Sequence, residues 1–474
     1  MISANKQRII YIASDVITTA LAWFLFNIIR FNNIVVDAES YNSLSAFLTQ
    51  KNVLLGQIFF PILMFGIYAL SGYYNHVFLK SRVEEFVNTL TTAFIGTITI
   101  YFIAIFNDPI PDRASNYELV ALLMTALFII VYLARLTITT NTNKRAANGQ
   151  LRFNALILGT GRAAIHLRKK LENNINIHSH AYRITGYVQP EGKSDMTAAD
   201  LPVFSITQLP QQCKELNISA IIATSHHNGM HATLDTFNRL LPLDIPILIS
   251  PTLYELIASK SKISRLVGEP LIDITRPNMS DSTVNLKRCG DIIVSAIALI
   301  ALLPIYAIIA IAIKCDSRGK IIYSQERVGM HKKRFKIYKF RTMHADAESN
   351  GPALSSENDS RITPLGHWLR KYRLDELPQF WNVLKGDMSL VGPRPERMFY
   401  ISQIMERAPY YILLHQVRPG ITSLGMVKHG YASNVDQMIE RLQYDLVYLE
   451  NISLITDLKI AIYTISTVLH GRGM

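Results

Sequence analysis

The chain is poor in cysteine and short of acids. Only three of its 474 residues are cysteines, Cys213, Cys289 and Cys315, and they form neither a metal-type spacing nor an even framework. This excludes a disulfide scaffold and points to a reducing compartment. Acids number 36 against 48 Lys and Arg, a formal net charge of +12. No small-residue cleavage site follows the first apolar run, so that run reads as an anchor and not as a removed signal peptide. None of the 22 tyrosines has a lysine four residues on, so the Tyr-x-x-x-Lys pair of nucleotide-sugar dehydratases and epimerases is missing. What is abundant is apolar sequence, 49% of the chain. A nucleic-acid binder is rarely so apolar; membrane contact with a basic cytoplasmic face accounts for both charge and hydropathy. The length predicts two or three domains.

Four apolar segments fill the first 140 residues, near Ile9–Ile29, Val53–Leu70, Leu90–Phe106 and Leu119–Leu136. Each approaches the ~20 residues that a spanning helix needs. Their flanks set an orientation. Lys6 and Arg8 precede the first; His76, Lys80 and Arg82 separate the second and third; Arg135, Lys144 and Arg145 follow the fourth. The other two loops hold Asp37 and Glu39, then Asp108, Asp112 and a single Arg113. The positive-inside rule predicts a four-span bundle, residues 1–145, with both ends in the cytoplasm. Asp15 lies inside the first span and calls for a polar partner on a neighbouring helix.

Residues 150–262 change character. A short strand at Arg152–Leu158 runs into Gly159-Thr160-Gly161-Arg162, and strand-like runs follow at Ile184–Val188, Ala220–Ala223 and Ile245–Ile249. This predicts a Rossmann-like α/β domain. The glycine turn either places a pyrophosphate at a helix N-terminus or is a tight strand-to-helix connection. Val188-Gln189-Pro190 offers no carboxylate for a ribose, which favours the second.

A fifth apolar run, Ile292–Ile313, is long enough to span, but both its ends carry cations: Lys287 and Arg288 before it, Lys314, Arg318 and Lys320 after. A single crossing breaks the positive-inside rule at one end. Pro304 near the middle bends a helix. These features predict a re-entrant hairpin over about 287–314, with Asp291 at its entry.

The chemistry concentrates beyond it. From Lys314 to Arg341 stand ten Lys or Arg and only two acids. Phe335 to Arg341 alternates as a strand does and predicts Lys339 and Arg341 on one face, suited to phosphate. Arg373 to Pro395 then sets Asp375-Glu376 before the helix-starting Pro378, runs through the turn Lys385-Gly386-Asp387, and ends on the proline-flanked Arg394. Aspartate is ionised at neutral pH and can attack phosphorus without a base. A neighbouring glutamate suits Mg²⁺, which binds through one or two carboxylates plus substrate phosphates.

Residues 283–474 resemble the bacterial sugar transferase family, membrane-embedded phosphoglycosyl transferases that start glycan assembly on a polyprenol carrier. The matching motifs are Lys287-Arg288, Gln325-Glu326-Arg327-Val328-Gly329, Lys339-Phe340-Arg341-Thr342-Met343 and Asp359-Ser360-Arg361-Ile362-Thr363. The Arg373–Pro395 stretch, Arg418-Pro419-Gly420-Ile421-Thr422 and Asp445…Tyr448…Asn451…Asp457 complete them. The bundle and Rossmann-like domain are similar to the family's long-chain branch. The resemblance implies that a UDP-sugar gives its sugar-1-phosphate to undecaprenyl phosphate, releasing UMP. It further implies that Asp375 is the covalent nucleophile, that Glu376 helps hold Mg²⁺, and that Arg394 contacts the donor. Lys339, Arg341, Arg361, Lys385, Asp387 and Arg418 are the other expected substrate ligands; Lys287, Arg288, Asp291 and Pro304 belong to the hairpin. The expected setting is the bacterial inner membrane, catalytic side to the cytoplasm, as a homodimer, in exopolysaccharide, capsule or O-antigen synthesis.

The chain departs from the family pattern in places. Leu303, not serine, precedes Pro304, and Ser423-Leu424-Gly425-Met426-Val427-Lys428-His429 replaces a common Gly-Leu-Trp-Gln-Val. Ile452 stands where tryptophan is common. Two other classes compete: a membrane-tethered NAD-dependent dehydratase or epimerase, which bound NAD would reveal, and a non-enzymatic scaffold, which UMP release would exclude. The last helix, Leu454–Leu469, carries Asp457 and Lys459 and is expected to pack or lie at the interface.

Overall fold

The computed structural model describes residues 4–33, 43–75, 77–78, 80–105, 113–147, 153–173, 182–189, 200–224, 236–250, 272–273, 275, 279–344, 347, 359–430 and 432–469. His76, Pro190, the loop acids Asp37, Glu39, Asp108 and Asp112, and the boundaries expected near 150 and 262 lie outside these residues. The chain divides into two compact units. One holds the first four long helices with Ser280–Leu286; the other holds a six-stranded sheet and the chain from Lys287 onward.

Among the described residues, four helices are long and apolar enough to cross a membrane. They are α1 (Ala4–Asn33), α2 (Lys51–Leu70), α3 (Arg82–Ile100) and α4 (Arg113–Ala147). Two differ from the sequence expectation. Helix α3 starts well before Leu90, because Ser81 caps it by accepting from the Glu84 N–H at 3.0 Å and Glu85 in its polar first turn is buried. Helix α4 runs past Leu136, so Arg135 is not a loop cation. It is fully buried and donates to both Asp15 oxygens, at 2.9 and 2.8 Å, while the Tyr74 hydroxyl donates to Asp15 at 2.8 Å. Asp15 therefore has the partner on a neighbouring helix that its place in an apolar segment demands. Lys80, also counted as a flank, is buried and donates a hydrogen bond to the Tyr73 carbonyl at 2.7 Å. Of the cations behind the expected orientation, Lys6, Arg8, Arg82, Lys144 and Arg145 remain among the described residues. Around this polar centre pack Tyr11, Trp23, Phe26, Phe60, Met64 and Leu123, while Ile9, Ile17, Ile58, Ile62 and Phe94 face outward. An apolar exterior around a polar centre is the arrangement that lipid favours.

In the second unit the sheet has the order β3-β2-β1-β4-β5-β6. Its strands are β1 (Phe153–Leu158), β2 (Tyr182–Gln189), β3 (Val203–Ser205), β4 (Ile218–Thr224), β5 (Ile247–Ser250) and β6 (Ile272–Asp273). The β1–β4, β2–β3 and β4–β5 pairs are parallel and β6 is antiparallel. Near-continuous burial of Ala155–Ile157 and Ala220–Ala223 marks a sheet covered on both faces. Strands β3 and β6 escaped the sequence reading because two or three residues carry no period. Gly159 takes φ +112° between β1 and α5 (Arg162–Asn173), a conformation open to glycine.

The fifth apolar run is two helices, α6 (Asp281–Ala301) and α7 (Leu303–Asp316), bent by 60° at their break. Pro304 falls in the first turn of α7, where its missing N–H costs nothing. Beyond it lie the hairpin β7 (Ile322–Val328) and β8 (Arg334–Phe340), then α8 (Pro364–Lys371), α9 (Gln379–Lys385), β9 (Ser389–Val391) and α10 (Met398–Arg407). Strand β10 (Gly420–Thr422), α11 (Leu424–Lys428), α12 (Val435–Glu450) and α13 (Leu454–Leu469) complete the unit. Helix α13 buries Ile460 and exposes Ile455, Leu458, Ile462 and Ile465, so one face packs and the other is apolar and open.

Candidate active site

Strand alternation and one buried amide build the site. Phe335 and Ile337 of β8 pack on Val383 and Met388, and Lys339 follows on the same face. Asn382 of α9 accepts from the Tyr338 N–H at 3.1 Å and donates to the Lys336 carbonyl at 2.7 Å, standing in for a missing neighbour strand. The start of α9 is thus held beside Lys339. Between α8 and α9 the chain turns at Arg373, whose φ is +52°, into a 3₁₀ turn at Leu374–Glu376. That left-handed residue costs ~1–2 kcal/mol. Its guanidinium offsets the cost by bonding the Glu376 carboxylate and, at 3.0 Å, the Ile421 carbonyl.

The turn buries both acids, Asp375 and Glu376. Glu376 is a hub. Lys339 Nζ donates to its Oε1 at 2.8 Å, Arg373 Nε to its Oε2 at 3.1 Å, and both terminal nitrogens of Arg394 lie 3.4 Å from Oε1. Asp375 keeps Lys339 at 4.0 Å. Three cations against two carboxylates leave a surplus of one positive charge, a setting for an anionic phosphate.

The two neighbouring acids are driven in opposite directions. Burial pushes the Asp375 carboxyl up, with Lys339 opposing. Burial also disfavours the Glu376 anion, but Arg373, Lys339 and Arg394 together outweigh it and hold the group well below the usual range. Glu376 is therefore a fixed anion that gathers cations, while Asp375 carries its charge at a cost. A costly, poorly partnered carboxylate is the more nucleophilic of the two.

The structure gathers Lys339, Asp375, Glu376 and Arg394 and sets the other predicted ligands apart. Strand β8 ends at Phe340, so Lys339 and Arg341 do not share a face. Arg341 instead donates to the Arg318 and Ser317 carbonyls at 3.0 and 2.7 Å, closing the end of α7, where carbonyls lack partners. Arg361 is held by Asp359, with Nε 2.8 Å from Oδ1. Lys385 and Asp387 pair at 3.5 Å. Arg418 Nε bonds the Gly386 carbonyl at 3.1 Å. The hairpin residues are ties: Lys287 donates to the Val391 carbonyl at 2.9 Å, Arg288 to the Val383 carbonyl at 2.7 Å, and Asp291 accepts from the Leu390 N–H at 3.1 Å. They clamp α6 to the turn after α9. Sequence reasoning missed Arg373 as a site residue, although its i,i+3 spacing to Glu376 was a usable signal. It also missed Asn382, which nothing local marks; Met426 lies in the stretch Ser423–His429 that departs from the family pattern, but its place at the arginines was not foreseen.

Behind Arg394 lies a second buried set. Glu396 accepts from Arg327 at 3.0 Å and Arg441 at 2.7 Å. Asp445 accepts from the Gly425 N–H at 3.0 Å, and burial raises its carboxyl to about 6. A raised acid favours folding below its unfolded pKa, and this stability is lost as pH rises through about 6. Asp445→Asn keeps an acceptor for Gly425 and removes the charge. We expect it to flatten the fall in thermal stability between about pH 4 and 6, by about 3 kcal/mol in all; an unchanged slope in thermal unfolding against pH would refute this.

The profile of the family described as bacterial sugar transferase matches residues 282–471. A UDP-N-acetylgalactosamine-undecaprenyl-phosphate N-acetylgalactosaminephosphotransferase of Aeromonas hydrophila is 43% identical over 188 residues, 40% of this chain and 44% of the relative. A UDP-glucose:undecaprenyl-phosphate glucose-1-phosphate transferase of Klebsiella pneumoniae is 33% identical over 270 residues, 56% of this chain and 58% of the relative. The exopolysaccharide production protein PSS of Rhizobium leguminosarum bv. phaseoli is 38% identical over 195 residues, 40% of this chain and 98% of the relative. The chain spans about half the length of the first two of these relatives.

Proposed function

Because this chain belongs to the bacterial sugar transferase family, we propose that it moves a sugar-1-phosphate from a UDP-sugar to undecaprenyl phosphate and releases UMP. The observation that carries the reading is the buried pair Asp375-Glu376 ringed by Lys339, Arg373 and Arg394. The names of its relatives, which act on UDP-sugars and undecaprenyl phosphate, support it.

The cations receive the donor's diphosphate, and an oxygen of Asp375 attacks the phosphorus that bears the sugar. The bond from that phosphorus to the bridging oxygen breaks, and UMP leaves with the electron pair. The acyl phosphate on Asp375 is then attacked by a phosphate oxygen of undecaprenyl phosphate, which forms the lipid diphosphate sugar and frees the carboxylate. Glu376 keeps Lys339, Arg373 and Arg394 gathered at the site. This would be the first membrane step of exopolysaccharide, capsule or O-antigen assembly.

Magnesium fits the donor set. No group of three or more His, Cys, Asp or Glu suited to a metal occurs among the described residues. Mg²⁺ needs only one or two carboxylates when substrate phosphates supply the rest, and Asp375 with Glu376 offers that number. These two residues would hold it, Glu376 exchanging one of its cation contacts for the ion, and it would supply neutralisation of diphosphate charge.

The division of labour follows the chain: bundle 1–145 as anchor, Rossmann-like 150–262 for assembly or regulation, and 283–474 for chemistry. The bent α6–α7 pair and its basic ends support a re-entrant hairpin that keeps the site at the cytoplasmic head-group layer. In protein lacking Cys213, Cys289 and Cys315, Val284→Cys and Arg318→Cys should both be labelled from the cytoplasmic side alone. Labelling of the second from the outside would mean a full crossing.

The function is tested with purified full-length protein, undecaprenyl phosphate and a panel of UDP-sugars. UMP should appear with at least one donor. No UMP above background from any of them overturns the reading.

A further inference from the structure

The segment in which this chain departs from its family pattern, Ser423–His429, lies against the catalytic cations. Ser423 caps α11 by accepting from the Met426 N–H at 3.0 Å, and the Gly425 N–H is held by Asp445. A Cβ at Gly425 would stand 2.6 Å from Arg441 Cγ and 2.9 Å from Asp445 Oδ1, so only glycine lets α11 lie this close to α12. The position of α11 is therefore set by backbone and a buried carboxylate. That position delivers one side chain to the site. Met426 Sδ is 3.2 Å from Arg394 Nη1 and 3.8 Å from Arg373 Nη2.

Both guanidinium groups also pair with Glu376, beside Asp375. Building on the transferase reading, the phosphate that these arginines receive is the one that carries the sugar. A side chain that touches both arginines then borders the sugar ring. Among polar and charged neighbours, Met426 brings a thioether and a methyl group. It has no proton to give a sugar hydroxyl, but it packs well against a methyl.

We propose that Met426 is a specificity-determining residue for the donor sugar, and that its apolar surface selects a 2-acetamido sugar over the corresponding 2-hydroxy sugar. Hydrophobic selection of this kind gives roughly 10-fold or more in kcat/KM.

The test compares UDP-N-acetylhexosamines with the matching UDP-hexoses by UMP release, in full-length wild type and in Met426→Gln, Met426→Leu and Met426→Ala. Wild type should favour the acetamido donor by about 10-fold. Met426→Gln, which brings a donor and an acceptor, should shift that ratio toward the hexose by about the same factor. Met426→Leu, similar in volume, should keep the ratio within about twofold, and Met426→Ala should lower it. The inference is overturned if all donors fall together in Met426→Gln with the ratio unchanged, because Met426 then only seats the arginines. It is equally overturned if Leu and Gln shift the ratio alike, or if wild type prefers the hexose. A wild type that releases UMP from no donor defeats the transferase reading itself, and this inference with it.

Discussion

Asp375→Asn should abolish UMP release, with a loss of more than about 10³-fold, and should leave no phosphosugar adduct on the protein. The amide cannot form the acyl phosphate, and among the described residues the neighbouring carboxylate does not substitute, since Glu376 is bonded by Lys339, Arg373 and Arg394. The same change should make the folded protein more stable at neutral pH. Burial raises the Asp375 carboxyl. Such a group favours folding below its unfolded pKa, near 3.9, and that stability is lost as pH rises through the folded value. Removing the charge removes the cost. In wild type the acid limb of kcat/KM should lie above the ordinary aspartate range, since activity needs the ionised form. Near-normal turnover in the Asn variant, measured alongside its melting temperature, would defeat the nucleophile assignment.

Glu376→Gln should act on stability with the opposite sign. Its carboxyl is held well below the usual range despite burial, because Arg373, Lys339 and Arg394 surround it. A depressed acid contributes stability above its unfolded pKa, about 4.3, and loses it as pH falls through the folded value. At neutral pH the glutamine leaves three cations facing one another without their shared anion, which should cost about 3–5 kcal/mol. Turnover should fall by about 10²–10³-fold through the displaced cations. Thermal unfolding of the two variants side by side checks this. If Glu376→Gln is as stable as wild type, the hub does not hold the site together.

Hydropathy and charge are local properties, and what depends on them could be read from the chain. Four runs of about 20 apolar residues had to become helices, since lipid or a core satisfies no open backbone group. The glycine turn after β1, the break before Pro304 and the whole of α13 were legible for the same reason. So was the adjacency of Asp375 and Glu376, because two acids that meet before a proline need no tertiary fold to be neighbours. The third and fourth helix ends were not legible, since Glu85 and Arg135 look like loop residues until their buried partners are known.

What each acid does was decided only by packing. Lys339, Arg373 and Arg394 come from a strand, a left-handed turn and a proline-flanked loop, and no period in the sequence brings them to one carboxylate. Their meeting at Glu376, and not at Asp375, makes one acid a fixed anion and leaves the other charged at a cost. The same holds for Arg341, which bonds the carbonyls just past the end of α7, and for Met426, delivered to the arginines by a close approach that Gly425 permits. Electrostatics and van der Waals contact act through space over a few ångströms. Residues far apart in the chain acquire these roles only when the fold makes them neighbours.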